Sequence, residues 1–291
     1  MLERMSDRPM TRRALLGGAI GVVLVGCAAE TEPEPAPQPS PSPTAAPEPG
    51  PTPEPEPDID VEAVIAEHEG REPTEWGMHF AGIVRTGSEA ASPSPDAVFL
   101  TLDACGGPYG SGYDAVLIDG LIAAEIPATL FLNSRWIEVN RATAEELAAN
   151  ELFSIQNHGS RHLPLSVTGR DAYGIVGTAS AREAAMEVWD NRLVIEELTG
   201  RAPQWFRPGT AHLDDVGMSI AEALGERIAG FAVDGDAGAT LSAASVAAEI
   251  GAARGGELVL AHMNQPGSGT ADGLLEAVNV LRDRGIAFAR L

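Results

Sequence analysis

The stretch AVFLTLDACGGPYGSGYD, residues Ala97–Asp114, carries the strongest indication of the fold. Its first part, AVFLTLD, is an apolar run with β-branched side chains, which predicts a strand buried on both faces. The run reaches Asp103 and then changes at once into a glycine-rich loop that contains Cys105. Because active sites of α/β folds collect at the C-terminal ends of their strands, Asp103 is predicted to lie at the rim of such a site.

Strand and helix patterns alternate from Asp96 to the C-terminus. The segments with strand character are AVFLTLD, IPATLFLN, LFSIQNH, QWFRPG, RIAGFAVDG, ELVLAHM and IAFARL. Between them lie segments with helical spacing, which are YDAVLIDGLIAAE, TAEELAAN, SAREAAMEVWDNRLVIEELTG, DDVGMSIAEALG, SAASVAAEIGAA and GLLEAVNVLRDRG. Regular alternation with short loops predicts an α/β fold with a parallel sheet, either open or closed into a barrel.

Most of the predicted strands end in residues that can do chemistry. These residues are Asp103, Asn157, His158, Arg207, Asp234, Asp236, His262 and Asn264. Side chains at the carboxyl ends of parallel strands meet at one edge of the sheet. This distribution is unusual for a purely structural protein.

The segment NHGSRHLPL places His158 and His162 four residues apart. On a helix, or in a turn held by Gly159, this spacing puts both imidazoles on one side of the backbone. Two neutral imidazoles and one carboxylate make a three-point metal site that leaves positions open for water or substrate. Asp103 is the natural carboxylate, as a ligand or as a base. The plainer interpretation is a pair of surface histidines near a turn.

His262, at the end of ELVLAHM, is the best candidate for a general acid because imidazole titrates near neutrality. Alone, it could equally be a hydrogen-bonded histidine of the core. Arg207 could orient a carboxylate through its fork of donors, or form an ion pair on the surface. Asp234 and Asp236 could hold that arginine, or cap a turn.

The composition excludes several classes of function. The formal net charge is −23, and every basic side chain other than histidine is an arginine. An acidic chain has little to neutralise phosphates, so nucleic acid is not expected as a partner. Schiff-base and P-loop chemistry both need a lysine, which the sequence lacks.

The N-terminus is predicted to be an export signal over residues 1–27. Arginines, including Arg12 and Arg13, precede a short apolar run that ends in LVGC at Cys27. This pattern resembles a twin-arginine leader with a bacterial lipobox, in which the cysteine is acylated and anchors the protein to the outer face of the membrane. An ordinary secretory signal with a cysteine by chance is the alternative. If Cys27 is lipidated, Cys105 has no partner for a disulfide within the chain, and it is then buried, reactive or a metal ligand.

Three further regions follow the leader. Residues 28–60 are rich in proline and acidic residues, which predicts an extended linker. Residues 61–95 are predicted to be an N-terminal extension that contains a short helix and a strand. Residues 96–291 form the predicted α/β domain, and the oligomeric state is left open.

Five short motifs resemble, in order, those of the polysaccharide deacetylases, the NodB-homology domains of carbohydrate esterase family four. The motifs are TLDAC (Thr101–Cys105), HGSRH (His158–His162), FRPGT (Phe206–Thr210), VDGD (Val233–Asp236) and LAH (Leu260–His262). The resemblance spans roughly Asp96–Leu291. It implies a single domain with a distorted barrel of β/α units and a divalent metal, often zinc. It also implies catalytic roles for Asp103, His262, Arg207 and Asp234, with His158 and His162 as metal ligands.

The first motif departs from the family at one position. In the family, the first aspartate of a pair is the general base and the second is a metal ligand, but Ala104 occupies the second position here. Cys105 could replace it as a soft ligand that favours zinc. Alternatively, Asp103 could be the ligand and leave the base role to another group, or the metal could bind weakly and the site be degenerate.

The leading hypothesis is therefore a metal-dependent hydrolase that removes acetyl groups from a cell-envelope or extracellular polysaccharide, such as peptidoglycan, a chitin-like glycan or xylan. A glycan-binding lipoprotein with a degenerate site is a second hypothesis, motivated by Ala104. A third keeps the hydrolase and changes the substrate to a small amide.

Overall fold

The computed structural model describes residues 59–291, and a parallel sheet bent into a half-barrel is its centre. The strands in this part of the chain are β1 (Trp76–Gly77), β2 (Val98–Ala104), β3 (Ala128–Leu132), β4 (Phe153–Asn157), β5 (Trp205–Phe206), β6 (Leu213–Asp214), β7 (Arg227–Ile228), β8 (Val233–Asp234), β9 (Leu258–His262) and β10 (Phe288–Ala289). The order across the parallel sheet is β7-β5-β4-β3-β2-β9-β8, and β10 pairs with the beginning of β2. β1 and β6 form a separate antiparallel pair.

Helices cover this sheet. They are α1 (Val61–His68), α2 (Ala115–Ala123), α3 (Ser134–Val139), α4 (Arg141–Ala149), α5 (Ala181–Thr199), α6 (Asp215–Ala223), α7 (Ala243–Gly251) and α8 (Thr270–Asp283). α5 shows how local sequence sets their bounds: the Ser180 side chain accepts a hydrogen bond from the backbone N–H of Glu183 at its start, and Gly200 ends it with φ +70°. The predicted α/β fold of the distorted-barrel type is confirmed, and residues 59–291 lie within one compact unit.

The core lies between the sheet and the helices. Every residue of β2 is buried, as the continuous apolar run of its sequence predicts for a central parallel strand. Leu100 and Leu102 pack in the largest core cluster with residues of β3, β9, α2 and α8. Because β2 has neighbours on both sides, its last residues are held rigidly at the centre of the site.

One predicted strand, RIAGFAVDG, is two strands in the structure. Its first part is β7, which pairs with β5 at one edge of the sheet. Its last part is β8, which pairs with β9 at the opposite edge. Between them, the carbonyl groups of Ala229 and Gly230 leave the ladder and accept hydrogen bonds from the guanidinium of Arg207. A Cβ at Gly230 would lie 2.5 Å from the side chain of Ile83, so the close approach also requires glycine.

The predicted N-terminal extension packs on the domain. α1 contributes Ile65 to a core cluster with α5 and α6. The backbone N–H of Val84 donates to the carbonyl of Ile228, and the carbonyl of Arg85 accepts from Leu258. Only part of the predicted strand in EWGMHFAGIVRT forms, as β1. The boundary between residues 95 and 96 stays a prediction.

The predicted export signal over residues 1–27, with Cys27, lies outside the described residues, as does nearly all of the linker predicted over residues 28–60. Within residues 59–291, none of the helices has both the length and the apolar character that crossing a bilayer requires.

Candidate active site

The carboxyl ends of β5, β4, β2 and β9 bring the predicted polar residues together, with β3 lying between β4 and β2. Asp103 near the end of β2 is directly beside His262 at the end of β9. On the other side, β4 leads into His158 and β5 leads into Arg207, whose N–H donates to the carbonyl of Asn157. The parallel register therefore explains why residues about 160 positions apart in sequence share one edge.

Asp103 and Arg207 form a buried ion pair at the centre of this edge. Nη1 of Arg207 donates to Oδ1 of Asp103 at 2.7 Å, and the arginine is completely buried. Burial by itself raises the pKa of Asp103, but the positive charge of Arg207 and the two neighbouring histidines outweigh it, so the pKa is lowered overall. The guanidinium also donates hydrogen bonds to the carbonyls of Ala229 and Gly230, and its Cζ atom lies 4.3 Å from the ring centroid of Phe131. The arginine thus orients a carboxylate, which was one of its two predicted roles.

His158 is fixed by this arginine through the backbone. Nδ1 of His158 lies 2.8 Å from the carbonyl oxygen of Arg207 and donates to it. Nε2 then faces the site, 3.5 Å from Oδ2 of Asp103 and 3.8 Å from Sγ of Cys105. Burial lowers the pKa of this imidazole, yet the Asp103 carboxylate and the Cys105 thiol raise it by more. Metal-binding histidines commonly have one ring nitrogen fixed in this way by a backbone carbonyl.

The turn from His158 to His162 is held by Glu187 of α5. The fully buried Glu187 carboxylate accepts hydrogen bonds from the backbone N–H groups of Arg161 and Leu163. Gly159 has φ +76°, and a Cβ there would lie 2.4 Å from Oε1 of Glu187. The segment is therefore a turn rather than a helix, and it brings the rings of His158 and His162 to 4.8 Å between centroids.

Cys105, His158 and His162 form a group that could hold a metal ion. One ligand atom from each of these side chains lies within 4.8 Å of the others. Around a tetrahedral zinc ion, ligand atoms lie roughly 3.3–3.8 Å apart. Small side-chain rotations would close the difference, so the donor set fits a divalent metal. Burial raises the pKa of the Cys105 thiol, but the neighbouring histidines lower it well below its usual range.

His262 is oriented by Asp236, which lies beyond the end of β8. Nδ1 of His262 donates to Oδ1 of Asp236 at 2.8 Å, and the hydroxyl of Thr270 donates to Oδ2 of the same carboxylate at 2.9 Å. Burial lowers the pKa of His262, but the contact with Asp236 raises it well above the ordinary value. The predicted catalytic residue Asp234 is placed differently: it is exposed, and its carboxylate accepts the backbone N–H of Ala237 at a turn. The acidic residue that joins the site from this segment is Asp236.

The rim of the site near His162 carries aromatic side chains. Gly209 packs so closely that a Cβ would lie 2.3 Å from the backbone carbonyl of His162. Three residues later, His212 contacts the rings of Trp76 and Tyr173, at 5.8 and 5.3 Å between centroids. Tyr173 is largely exposed.

Two positioning residues were not predicted from the sequence. Glu187 holds the histidine turn, and Asn133 donates from its side chain to the carbonyls of His158 and Gly159. The sequence gives one weak indication of Glu187, because a charged residue falls on the same face of α5 as the buried Ala184 and Val188. Asn133 follows β3 at the same edge as the other strand-end residues.

Residues 90–229 match the family model described as polysaccharide deacetylase. The fold is similar to that of a CE4 family pseudoenzyme from Bacillus anthracis, with 21% identity, a TM-score of 0.56, and coverage of 67% of this chain and 64% of that chain. It is also similar to a peptidoglycan N-acetylglucosamine deacetylase, with 24% identity, a TM-score of 0.55, and coverage of 67% and 86%. A family 4 acetyl xylan esterase from Clostridium thermocellum, solved with a cobalt ion, shares 22% identity and a TM-score of 0.54, with coverage of 66% and 87%. Among curated proteins, none matches the chain.

The chain thus spans a little under two thirds of the Bacillus anthracis protein, and the likeness to these structures is one of fold. Together with the family model, this shared fold supports a polysaccharide deacetylase domain of the NodB-homology type.

Proposed function

We propose that the protein is a metal-dependent hydrolase that removes N- or O-acetyl groups from a cell-envelope or extracellular polysaccharide. The observation that carries this proposal is the arrangement at the edge of the half-barrel. A group of side chains that could bind a metal, which includes His158 and His162, lies beside the buried carboxylate of Asp103. The imidazole of His262, which a carboxylate holds in place, lies at the same edge. Hydrolysis of an acetamide needs a Lewis acid that polarises the carbonyl, a base that takes a proton from water, and an acid that protonates the leaving group.

Asp103 is the general base in this proposal. Arg207 holds Oδ1 and so fixes the plane of the carboxylate, while Oδ2 lies 3.5 Å from Nε2 of His158. This oxygen accepts the proton of the attacking water. Arg207 itself lies behind the carboxylate, fully buried, and its role is to position the base.

His262 is the general acid, and it protonates the leaving nitrogen or oxygen of the sugar. Its ring is fixed by Asp236 through Nδ1, which leaves Nε2 on the side of the ring that faces Cys105 and the site. His158 and His162 hold a divalent metal, zinc in this proposal, together with a third ligand. When bound, the metal supplies a Lewis acid that polarises the acetyl carbonyl and acidifies the attacking water.

The substrate is proposed to be an acetylated glycan of the peptidoglycan, chitin or xylan type. Two of the similar structures are, by name, a peptidoglycan N-acetylglucosamine deacetylase and an acetyl xylan esterase. The contact of Trp76, His212 and Tyr173 at the rim supplies faces on which sugar rings can stack. An export signal and a lipid on Cys27 would hold the domain against such an insoluble substrate on the outer face of the membrane. Loss of membrane attachment in Cys27→Ser, with mass spectrometry of the mature N-terminus, tests this part of the proposal.

The activity is tested by acetate release from N-acetylated glycan oligomers and from O-acetylated xylan, with zinc added to the full chain. Asp103→Asn is expected to lower the rate about 10²–10⁴-fold, the range for a positioned base. Asp96→Asn is the matched control, because Asp96 is exposed and precedes the other end of β2. Equal rates in the wild type and in Asp103→Asn would overturn the proposal.

A glycan-binding protein without catalysis is the second candidate. It is favoured by Ala104, which is buried and offers no ligand where the family has an aspartate, and by the similarity to a pseudoenzyme. This candidate predicts that folded wild-type protein binds glycan oligomers and releases no acetate.

A further inference from the structure

We propose that Cys105 is the third protein ligand of the metal, which makes the site a thiolate with two imidazoles. This inference rests on the metal dependence proposed above and names the ligand that replaces the family's missing aspartate. A thiolate in this set favours soft and borderline ions, zinc above all, over magnesium or manganese.

The positions of the three side chains carry the inference. Sγ of Cys105 lies 3.8 Å from Nε2 of His158, and the ligand atoms of Cys105, His158 and His162 all lie within 4.8 Å of one another. A structural cysteine of the core would have apolar neighbours instead. Here it lies partly exposed, at the carboxyl edge of the sheet, beside the imidazoles of His158, His162 and His262.

Asp103 is a weaker candidate for the same position. One of its oxygens is committed to Arg207 at 2.7 Å, and the carboxylate is almost fully buried behind His158. It does not belong to the group formed by Cys105 and the two histidines within the described residues. Assigning the thiolate as ligand leaves Asp103 available as the base.

The loop after β2 is built to turn Cys105 toward the histidines. Gly106 and Gly107 both have positive φ, at +69° and +80°, and a Cβ on Gly106 would lie 2.7 Å from the backbone nitrogen of Trp136. The guanidinium of Arg135 donates to the carbonyl of Cys105 at 3.3 Å. A buried strand on one side and this fixed loop on the other leave the thiol little freedom, as a metal site requires.

Cobalt substitution of the full chain tests this assignment, because thiolate ligands give Co²⁺ a charge-transfer absorption in the near ultraviolet that imidazole and carboxylate ligands do not give. The expected result is this band at one cobalt per chain in the wild type and in Cys27→Ser, which removes the only other thiol. In Cys105→Ser the band is lost, and zinc affinity falls by more than about 100-fold, since even residues that only orient ligands change affinity 10–100-fold. In Cys105→Asp, metal binding persists without the band, and the ratio of zinc affinity to manganese affinity becomes smaller than in the wild type.

Circular dichroism of each variant distinguishes loss of the ligand from loss of the fold, and Cys105→Asp serves where Cys105→Ser does not fold. The inference is overturned if stoichiometric cobalt gives no band in the wild type, if the band survives in Cys105→Ser, or if it disappears in Cys27→Ser. It is also overturned if the folded wild type binds neither cobalt nor zinc.

Acetate release measured on the same samples separates this inference from the proposed function. A thiolate band without acetate release supports the ligand and contradicts the hydrolase. Full activity and full zinc content in Cys105→Ser contradict the ligand and support the hydrolase.

Discussion

Asp236 holds His262 at two points. Its Oδ1 accepts from Nδ1 of the imidazole and its Oδ2 accepts from the backbone N–H of the same residue, both at 2.8 Å. Since the carboxylate is fully buried and is also bound by Thr270, the ring has one fixed orientation and one fixed tautomer. The carboxylate therefore sets which nitrogen of His262 is presented to a substrate.

The substitution Asp236→Asn is expected to lower kcat about 10²–10⁴-fold, the full contribution of a positioned acid, and to leave KM nearly unchanged. The amide can donate to Nδ1, which puts the ring proton on the wrong nitrogen. Steady-state kinetics with an acetylated oligosaccharide check this. Asp234→Asn is the matched control, since that exposed carboxylate caps a turn only two residues away. If Asp234→Asn loses activity and Asp236→Asn keeps it, the sequence-based assignment of Asp234 is the correct one.

Gly159 is expected to be essential for the histidine turn. Gly159→Ala meets both a left-handed φ and a contact of 2.4 Å with Glu187, whereas Gly174→Ala meets the same φ of +76° with no atom within 4 Å of its Cβ. Gly174→Ala should therefore lower the free energy of unfolding by about 1–2 kcal/mol. Gly159→Ala should lower it by about 1–3 kcal/mol more, because the buried carboxylate loses its partners, and should reduce bound zinc. Denaturant melts and metal analysis measure both effects, and equal losses would show that the contact with Glu187 is unimportant.

The effects of substituting Asp103 and Arg207 on the free energy of unfolding are expected to be coupled. Arg207→Ala leaves a buried carboxylate without its partner, which should lower the free energy of unfolding by about 3–5 kcal/mol. The double variant with Asp103→Ala should be less destabilised than the sum of the two single variants, by about 0.5–3 kcal/mol. Chemical denaturation of all four proteins gives this difference.

Arg182→Ala is a control for this cycle, because Arg182 pairs with Glu62 on the surface and should be replaceable with little change. Additive effects of Asp103→Ala and Arg207→Ala would contradict the coupling.

Asp215 is expected to make stability depend on pH at the acidic end. Burial raises the pKa of this carboxyl, but the hydrogen bonds from Thr74 and from the backbone N–H of Glu75 together outweigh burial, so the pKa is lowered overall. A carboxylate whose pKa is lowered in the folded state stabilises the fold above its unfolded pKa, about 3.9, and that stabilisation is lost as pH falls through the folded value. Asp215→Asn should therefore be less stable than the wild type at pH 7, and the two should converge below about pH 4.

Denaturant melts across this pH range test the prediction, with Glu222→Gln as control. Glu222 is an exposed carboxyl on the same helix whose side chain has no hydrogen bond or ion pair within residues 59–291. The prediction is contradicted if the difference in free energy of unfolding between the wild type and Asp215→Asn stays constant from pH 7 to pH 3.

The amino-acid sequence by itself determined the fold class of this protein and the ends of the strands β2, β4, β5 and β9, which carry the site. These features depend on residues close together in the sequence, so they can be recognised along the chain. They are the apolar run of β2, the serine and glycine that cap α5, and the alternation of strand-like and helix-like spacing of apolar residues. The same patterns placed Asp103, His158, Arg207 and His262 at one edge, because parallel strands align their carboxyl ends.

Only the tertiary structure decided which of these neighbours interact. The division of RIAGFAVDG into β7 and β8 depends on Arg207, which binds the carbonyls between them from more than 20 positions away. The contact of His262 with Asp236 rather than Asp234 depends on the turn after β8, and the approach of Cys105 to His158 spans 53 positions. Such contacts follow from how the sheet closes in three dimensions, and no local pattern of side chains encodes them.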